Sequence, residues 1–313
     1  MTWRPSAALS ALHARAAFLA EIRAWFNKLG YLEVEVPAIA LAPASDPWLD
    51  SFEVRSPGEQ TPALYLLTSP ESYLKRLLAR DGQPIFTLAR AYRAEPRGVM
   101  HNPEFTLLEW YQPHAGFAAL CEALQRFSRE LGFGQPEVQT YRSLFESVYG
   151  RNPHQMTELA ANALIRAEID PHWTDGSLDL ALNLLFSTGC EPLCDNLLVT
   201  HFPAAQAAMS RTIRQDDDQV CLRVEWYLQG IEIANGYDEL VDPREQRARA
   251  ELDQHRRTEL QRPAVPTDHA LLAAVDAGLP PSYGIALGVD RLFCARMGFA
   301  QLADGLSFTD VTV

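Results

Sequence analysis

One segment of the chain places charged residues inside a pattern that otherwise indicates buried strands. The stretch FTLARAYRAEPRGVMHNPEFTLLEWYQ, from Phe86 to Gln112, contains three arginines, one histidine and three glutamates among aromatic and aliphatic residues. Strands are predicted at 84–95 and 103–112, with a polar loop between them. A buried charge is costly unless it has a partner. The segment therefore predicts a fold in which two adjacent strands hold paired charges or a charged ligand.

The rest of the chain alternates between helical and strand patterns, without a repeated strand–helix–strand unit. Helices are predicted at 9–30 with Gly30 as C-terminal cap, at 69–80 with Ser69 as N-cap, over most of 116–190, and after Asp242 with Pro243 in the first turn. Further strands are predicted at 31–37, ending at Pro37, at 63–68, in a hairpin over 220–240 that turns at Gln229–Gly230, and at 283–288 before a final helix. Long antiparallel strands flanked by helices predict an α+β fold in one domain over 1–313, with an antiparallel sheet.

Composition and charge exclude several classes of protein. The chain has 313 residues and a formal net charge of −13, and no apolar run approaches the roughly 20 residues of a membrane helix. His13 and Arg15 interrupt the apolar residues near the N-terminus, so a secretory signal is not expected. We therefore expect a soluble cytoplasmic protein. The negative charge disfavours binding to a nucleic-acid backbone and favours a neutral or basic partner.

The five cysteines are predicted to be mostly buried thiols. Cys190 and Cys194 form the only close pair, and a zinc site would require a second pair or histidines at metal-binding spacing. His201 is near in sequence and keeps that alternative open, but buried thiols are the simpler interpretation.

Arg93 and Glu95 are predicted to lie on one face of their strand, because side chains alternate with a period of two. One interpretation is a structural ion pair between them. The other is a phosphate bound by Arg93, with Glu95 orienting an amine. Phe105 and Arg291 could then hold a planar ring from both sides.

Several segments resemble those of class II aminoacyl-tRNA synthetases, in the form found in the lysyl enzymes. YRAEPRGVMHNPEFTLLEWY is similar to motif 2, YGIALGVDRL to motif 3, and GYLEVEVPAI to motif 1, with Pro37 as its proline. TSPESYLKRLL and GIEIANGYDEL resemble the lysyl-type substrate segments. The resemblance covers nearly the whole chain in the right order, and HNPEF together with GVDR is specific. It implies the class II catalytic fold, a homodimer, and adenylate chemistry that uses ATP and Mg²⁺.

The resemblance also implies roles for individual residues, with Arg93 and Arg291 as the catalytic pair. The residues implied to bind ATP are Arg93, Glu95, His101, Asn102, Phe105, Glu232, Ile233, Gly288 and Arg291. The residues implied to bind the amino acid are Ser69, Pro70, Glu71, Tyr111, Glu239 and Ala286.

Three glutamates, Glu225, Glu232 and Glu239, are spaced by seven residues. If Gln229–Gly230 forms the turn of the hairpin, Glu225 and Glu232 lie diagonally on one face, and carboxylates that face one pocket repel each other unless cations occupy it. A solvated acidic strand face is the alternative, but the apolar neighbours of Glu232 argue against it. The resemblance implies that Glu225 and Glu232 bind Mg²⁺ on ATP, and that Glu239 and Tyr111 bind the distal ammonium of lysine. Glu71 is implied to meet the other amino group.

The resemblance begins within about a dozen residues of Met1, where a lysyl-tRNA synthetase would first carry an anticodon-binding domain. We therefore expect that domain to be absent and expect no tRNA substrate. The chain resembles the truncated lysyl-type paralogues that attach (R)-β-lysine to a lysine of elongation factor P. A small partner presenting a basic loop suits the negative charge of the chain.

Two positions depart from the lysyl pattern. Ala286 stands where the motif 3 of the synthetases has a glycine, and an added methyl group can exclude a substrate whose amino group must sit there. A neutral change within a strand is the alternative. Met100 stands in the motif 2 loop where the synthetases generally carry a residue such as arginine, which leaves the triphosphate contacts open.

Three functions are compatible with these patterns. The first is ligation of (R)-β-lysine, or lysine, to elongation factor P. The second is an enzyme that forms lysyl adenylate for another acceptor. The third is a regulatory paralogue without catalysis, although retention of Arg93, Glu95, Glu225, Glu232 and Arg291 argues against it.

Overall fold

The computed structural model describes residues 3–55 and 62–309. The chain divides into two compact units. Unit 1 contains residues 1–115 and 240–313, and unit 2 contains residues 116–239. The helices are α1 (Leu9–Lys28), α2 (Glu71–Asp81), α3 (Phe117–Glu130), α4 (Tyr141–Tyr149), α5 (Glu158–Glu168), α6 (Leu178–Leu185), α7 (Pro243–Glu259), α8 (His269–Gly278) and α9 (Val289–Met297).

The strands are β1 (Leu32–Glu33), β2 (Ile39–Ala40), β3 (Glu53–Val54), β4 (Leu64–Leu66), β5 (Ile85–Tyr92), β6 (Glu104–Pro113), β7 (Glu137–Thr140), β8 (Asn196–Pro203), β9 (Thr212–Gln215), β10 (Asp218–Leu228), β11 (Ile231–Asp238) and β12 (Ser282–Gly288). Antiparallel pairing dominates in both units, which confirms the expected α+β class.

Unit 1 is built on the strand order β1-β5-β6-β12, beside a small sheet of order β2-β4-β3. β5 and β6 pair antiparallel from Ile85↔Tyr111 to Tyr92↔Glu104. One face of this sheet packs against α1, where Phe26 stacks on Phe86 at 4.4 Å between ring centroids and meets the edge of Trp110 at 5.3 Å. These aromatic side chains are fully buried, so burial of this face gives the unit its core.

Unit 2 is built on the order β11-β10-β8-β7, with β9 paired to the start of β10. The helices α4, α5 and α6 contribute about half of one large apolar cluster, which includes Tyr141, Phe145 and Tyr227. Cys190 and Cys194 lie within this cluster, and burial raises the pKa of both thiols to about 12. The prediction of mostly buried thiols is confirmed, since four of the five cysteines are buried and Cys121 is half-buried.

The local signals at helix ends and turns are confirmed. Gly30 follows α1 with a φ of 77°, a left-handed conformation that glycine adopts without strain. Asp242 accepts hydrogen bonds from the backbone N–H groups of Arg244 and Glu245 at the start of α7. Gln229 and Gly230 both have positive φ between β10 and β11, as a tight hairpin turn requires.

Several element boundaries differ from the prediction. The strand expected over 31–37 is reduced to Leu32–Glu33, because only this part pairs with β5. β5 ends at Tyr92, so Arg93 and Glu95 lie in a loop and strand alternation does not place them. The segment expected to be mostly helical also contains β7. Pairing over long sequence separations determines these differences, and local patterns do not record it.

Five elements lie outside any prediction from the pattern, namely β2, β3, β8, β9 and α8. In the part of the chain that has been described, no helix is long and apolar enough to span a membrane.

Candidate active site

The strand β6 divides its side chains between two faces of the unit 1 sheet. Thr106, Leu108 and Trp110 point towards the side that carries α1, and Glu109 and Tyr111 point to the opposite side by alternation. Antiparallel pairing sets Ala286 of β12 directly opposite Glu109, and Gly288 opposite Leu107. Residues from motifs 2 and 3 therefore share one face, which we call the site face.

The segment before α2 contributes hydroxyl and carboxylate groups to this face. Ser69 Oγ donates a hydrogen bond to Glu109 and accepts one of 3.0 Å from the backbone N–H of Glu71. Helix α2 itself begins at Glu71, one residue later than the sequence pattern predicted, and Pro70 precedes it. Ser69 thus caps the first helical N–H group, so it orients the start of α2 and the side chain of Glu109 together.

Glu71 forms an ion pair with Lys75, four residues further along α2. The side chain of Lys75 is almost completely buried, with 1% of its surface exposed. A buried ammonium requires a counter-charge, so Glu71 is held in place before any substrate amine arrives. If Glu71 binds a substrate amino group, as the resemblance implies, that amino group must compete with Lys75 for the carboxylate or share it with Lys75.

Glu109 is a residue of the site face that the sequence analysis did not single out. Only 1% of its surface is exposed, and it lies opposite both Thr87 of β5 and Ala286. A carboxylate in the middle of a strand of otherwise apolar, buried residues was the available signal, because such a charge rarely occurs without a function. Its position makes it a second anionic group, beside Glu71, at the start of α2.

Arg93 follows β5 and lies over the ring of Phe105, with its guanidinium carbon 5.1 Å from the ring centroid. Its Nε atom is buried and has no hydrogen-bond partner. Arg93 and Glu95 form no ion pair with each other within the described ranges, so the structural interpretation of this pair is not supported. A guanidinium fixed by an aromatic ring and still able to donate is suited to an anionic ligand.

Arg291, in the first turn of α9, contacts the loop over 93–103, here called the motif 2 loop. Arg291 Nε donates to the carbonyl oxygen of Met100 at 3.2 Å, and its Nη2 lies 2.6 Å from His101 Nε2. Burial lowers the pKa of the His101 ring, and the charge of Arg291 lowers it further. The side-chain amide of Asn102 donates to the carbonyl oxygen of Glu104 at 2.7 Å. These contacts hold His101 as a neutral ring next to a cation.

A cavity of about 420 Å³ opens beside the motif 2 loop. The residues that line it are Trp48, Asp50, Ala94, Glu95, Pro96, Arg97, Gly98, His101 and Arg262. Two residues with an implied role towards ATP, Glu95 and His101, therefore share one concave surface. Cavities of several hundred cubic ångströms with a few converging polar groups are typical ligand sites.

A buried carboxylate connects α1 with the motif 2 and motif 3 segments of unit 1. Asp290 Oδ2 accepts from the backbone N–H of Thr106 at 2.9 Å, and Asp290 Oδ1 accepts from Arg15 of α1. Arg15 also donates to Thr106 Oγ1 at 2.9 Å. Thr106 follows Phe105 in β6, and Asp290 precedes Arg291 in α9. The network therefore fixes the position of Phe105 relative to that of Arg291.

In unit 2, the hairpin of β10 and β11 carries the predicted acidic residues. A bulge at Ile233 shifts the register, so Trp226 pairs with Ala234 whereas Tyr227 pairs with Glu232. Glu225 lies on the same face of β10 as Arg223 and Tyr227, and both of these side chains donate to its carboxylate. Burial and then the charges of Glu225 and Glu232 raise the pKa of the Tyr227 hydroxyl well above its usual range. Glu225 and Glu232 therefore both lie near enough to Tyr227 to raise the pKa of its hydroxyl.

Glu239 lies at the end of this hairpin and is 1% exposed. Its backbone pairs with that of Ser210 in an isolated antiparallel β-bridge, and Ser210 is completely buried. A carboxylate at such depth has lost most of its hydration, so an ammonium partner would gain much of its affinity there from direct charge pairing.

The carboxylate groups of Glu225 and Glu232 are of the ligand type that Mg²⁺ prefers. Both provide carboxylate oxygens, and Mg²⁺ is usually bound by one or two carboxylates together with substrate phosphates. Across residues 3–55 and 62–309, no group of three or more His, Cys, Asp or Glu side chains is arranged to hold a metal by itself. An Mg²⁺ ion at this hairpin would therefore need further ligands, such as water and phosphate oxygens.

Comparison with known proteins identifies the class to which this arrangement belongs. The model of the family described as tRNA synthetases class II (D, K and N) matches residues 1–311. The chain belongs to this family. It is 42% identical to proteins of Salmonella paratyphi B and Salmonella schwarzengrund, each named elongation factor P--(R)-beta-lysine ligase, over 98% of the chain and 97% of the relative. A protein of the same name from Salmonella arizonae is 41% identical over the same shares.

Membership of the class II synthetase family confirms the expected fold class and the resemblance on which the sequence analysis relied. It also supports an ATP-dependent ligase activity, in agreement with the expectation of an enzyme. The roles of the individual residues remain predictions. Of the sixteen residues to which the resemblance assigns a role, twelve lie in unit 1, and Glu225, Glu232, Ile233 and Glu239 lie in unit 2.

Proposed function

We propose that the chain activates (R)-β-lysine as an adenylate with ATP and transfers it to a lysine side chain of elongation factor P. The likeness to ligases of that name along the full length of both chains supports the substrate and the acceptor. The main structural support for this chemistry is the position of Arg93. Its guanidinium lies over the ring of Phe105, and its buried Nε has no hydrogen-bond partner. Such a group can stabilise charge that develops on a phosphate.

In the first step, a carboxylate oxygen of the amino acid attacks the α-phosphate of ATP, and pyrophosphate leaves. Arg93 holds the α-phosphate, while Phe105 and Arg291 position the adenine ring. Mg²⁺, when bound by Glu225 and Glu232, neutralises charge on the phosphates. Positioning and electrostatic stabilisation supply most of the catalysis, since the reaction needs no covalent bond to the protein.

The amino groups of the substrate are held at separate anionic positions. Glu239 and Tyr111 bind the distal ammonium, and Glu71 binds the amino group nearer the carboxylate. Ser69 and Pro70 shape the start of α2, and Ala286 forms part of the floor next to Glu109. A substrate with two ammonium groups requires two such positions, because a single carboxylate neutralises only one of them.

In the second step, the neutral ε-amine of the acceptor lysine attacks the adenylate carbonyl. An amide bond forms, AMP leaves, and the amine releases a proton to solvent. The chain is proposed to work as a homodimer without tRNA and in the cytoplasm. Leu32 in the motif 1 segment and Leu41 just after it are 57% and 70% exposed, and contact with a second copy would bury both side chains.

ATP–pyrophosphate exchange tests the first step. We expect exchange that depends on (R)-β-lysine, followed by a mass increase of elongation factor P equal to one β-lysyl group. Arg93→Gln should reduce the exchange rate at least about a hundredfold, as expected for a residue that stabilises a charged transition state. Arg90→Gln, at an exposed arginine of β5 paired with Glu104, is the matched control and should retain activity.

Three results would contradict the proposal. Exchange with α-lysine and none with β-lysine, or labelling of a different acceptor, would favour the lysyl-adenylate enzyme with another acceptor. Absence of exchange with either amino acid would favour a regulatory paralogue.

A further inference from the structure

Arg262 reaches the motif 2 loop from a distant part of the sequence, just after α7. Its Nη1 donates to the carbonyl oxygen of Trp48 at 3.2 Å and to Asp50 Oδ2 at 2.8 Å. The same side chain lines the cavity that contains Glu95 and His101. Arg262 is thus held from one end at the wall of the candidate nucleotide site.

The remaining donors of Arg262 are available for a ligand. Within the described part of the chain, only Nη1 of its guanidinium donates hydrogen bonds, and the side chain is 30% exposed. The Nε and Nη2 groups add three N–H donors in a fixed plane. A planar fork of this kind suits phosphate oxygens, which accept two parallel hydrogen bonds.

The local charge balance favours an anion at this wall. Asp50 accepts from Arg262 and also from Arg257 Nη2 at 3.0 Å, so one carboxylate faces two guanidinium groups. Arg257 is almost completely buried and also donates to the carbonyl oxygens of Asp46 and Leu49. When Arg97, Arg257 and Arg262 are counted against the carboxylates of Asp50 and Glu95, one positive charge remains next to the cavity.

The motif 2 loop does not supply this cation at position 100. The side chain of Met100 packs against an apolar cluster that contains Cys294, Leu302 and Leu306. Met100 therefore serves the packing of the C-terminal segment. His101 adds little positive charge near neutral pH, because burial and Arg291 lower the pKa of its ring.

We propose that Arg262 binds the β- and γ-phosphates of ATP and the pyrophosphate product, in place of a cation from position 100 of the motif 2 loop. This inference rests on the proposed function, since it requires ATP in the cavity beside Glu95. Asp50 and the Trp48 carbonyl group act as positioning groups that aim the free edge of the guanidinium at the cavity. Arg97, on the same wall, provides further positive charge.

Isothermal titration calorimetry, which measures the affinity for each of two ligands, tests the proposal. One ligand is ATP with Mg²⁺. The other is the non-hydrolysable sulfamoyl analogue of the β-lysyl adenylate, which contains adenine, ribose and amino acid but no pyrophosphate. Arg262→Gln should weaken ATP binding about tenfold or more, the effect of losing a charge-assisted hydrogen bond, and should leave binding of the analogue nearly unchanged. The KM for pyrophosphate in the exchange reaction should rise by a similar factor.

Matched variants complete the experiment. Arg244→Gln, at an exposed arginine at the start of α7, also removes one positive charge and should change neither affinity. Arg262→Lys keeps the charge but not the planar fork, and should recover part of the ATP affinity. Binding of the analogue reports the folded site in every variant, so loss of folding cannot imitate the expected result.

Three outcomes would overturn the proposal. Unchanged ATP affinity in Arg262→Gln would exclude a phosphate contact. An equal loss for ATP and the analogue would show that Arg262 only holds the Trp48–Asp50 segment in place. Failure of the unaltered protein to bind ATP would contradict the proposed function as well, which distinguishes that failure from the first two.

Discussion

The side chain of Ala286 is a single methyl group on the site face. Ala286 lies directly opposite Glu109 of the neighbouring strand. The amino group of β-lysine is one carbon further from the carboxylate than that of α-lysine, so a pocket that prefers one of them must differ near the reacting end. At residue scale, Ala286 is the departure from the lysyl pattern best placed to make that difference. The structure strengthens the prediction, because the methyl group adjoins a buried carboxylate that accepts from Ser69.

Ala286→Gly is therefore expected to raise activation of α-lysine by about tenfold or more, with a smaller effect on β-lysine. A methyl group in a tight site is worth roughly 1–3 kcal/mol of discrimination. The measurement is the ratio of the two exchange rates in both proteins at equal ATP. An unchanged ratio would place selectivity elsewhere, for example around Ser69 and Glu71.

Glu239 provides the second test at this scale. Glu239→Gln is expected to weaken amino-acid activation by roughly 2–4 kcal/mol, because it removes a buried charge that pairs with an ammonium. ATP affinity should survive the change, since the prediction assigns Glu239 to the amino acid alone. The measurement is the KM for β-lysine at saturating ATP. Unaltered exchange kinetics would show that the ammonium binds at another site.

At the scale of elements, α7 packs its middle against the segment around residues 45–50. Asp253 of α7 accepts a hydrogen bond of 3.0 Å from Ser45 Oγ. Burial raises the pKa of the Asp253 carboxyl to about 6, and the charge of Asp46 contributes to this increase. The charged form is therefore less favourable in the folded protein than in the unfolded chain, and this part of the contact weakens stability at neutral pH.

The sign of the pH effect follows from proton linkage. Between about pH 4 and pH 6 the folded state holds more protons at Asp253 than the unfolded state, so this contribution to stability falls as the pH rises. Asp253→Asn should increase the free energy of unfolding at pH 8 by about 1–2 kcal/mol, allowing for partial exposure, and should have little effect at pH 4.

Thermal or urea unfolding at the two pH values measures this difference. Glu251→Gln, at an exposed carboxyl of the same helix, removes one negative charge and controls for net charge. Equal changes in stability at pH 4 and pH 8 in Asp253→Asn would contradict a raised pKa at this position.

At the scale of the whole molecule, the net charge of −13 bears on the choice of acceptor. Phosphate contacts supply most of the affinity of proteins for nucleic acid, and a strongly acidic protein forgoes much of that attraction. We therefore expect no charging of lysine tRNA above background. Acid-gel electrophoresis of purified tRNA, with a lysyl-tRNA synthetase as positive control, measures this. Robust charging that depends on the anticodon would contradict the proposal of a protein acceptor.

Much of the candidate site could be predicted from short segments. The motif 2 and motif 3 sequences located Arg93, Glu95, Phe105 and Arg291 without any coordinates, because their chemistry depends on residue types at close spacing. The hairpin turn at Gln229–Gly230 and the cap at Asp242 were equally accessible, since both depend on the backbone preferences of neighbouring residues.

Only the tertiary structure decided which of these groups are already paired and which are left to bind a ligand. The sequence left open an ion pair between Arg93 and Glu95, whereas the structure places Arg93 over Phe105. It likewise brings Arg262 to the motif 2 loop and sets Glu109 between Ser69 and Ala286. The physical reason is that local patterns determine backbone conformation and burial, while the partner of a buried charge is chosen by segments far apart in the chain that meet only after folding.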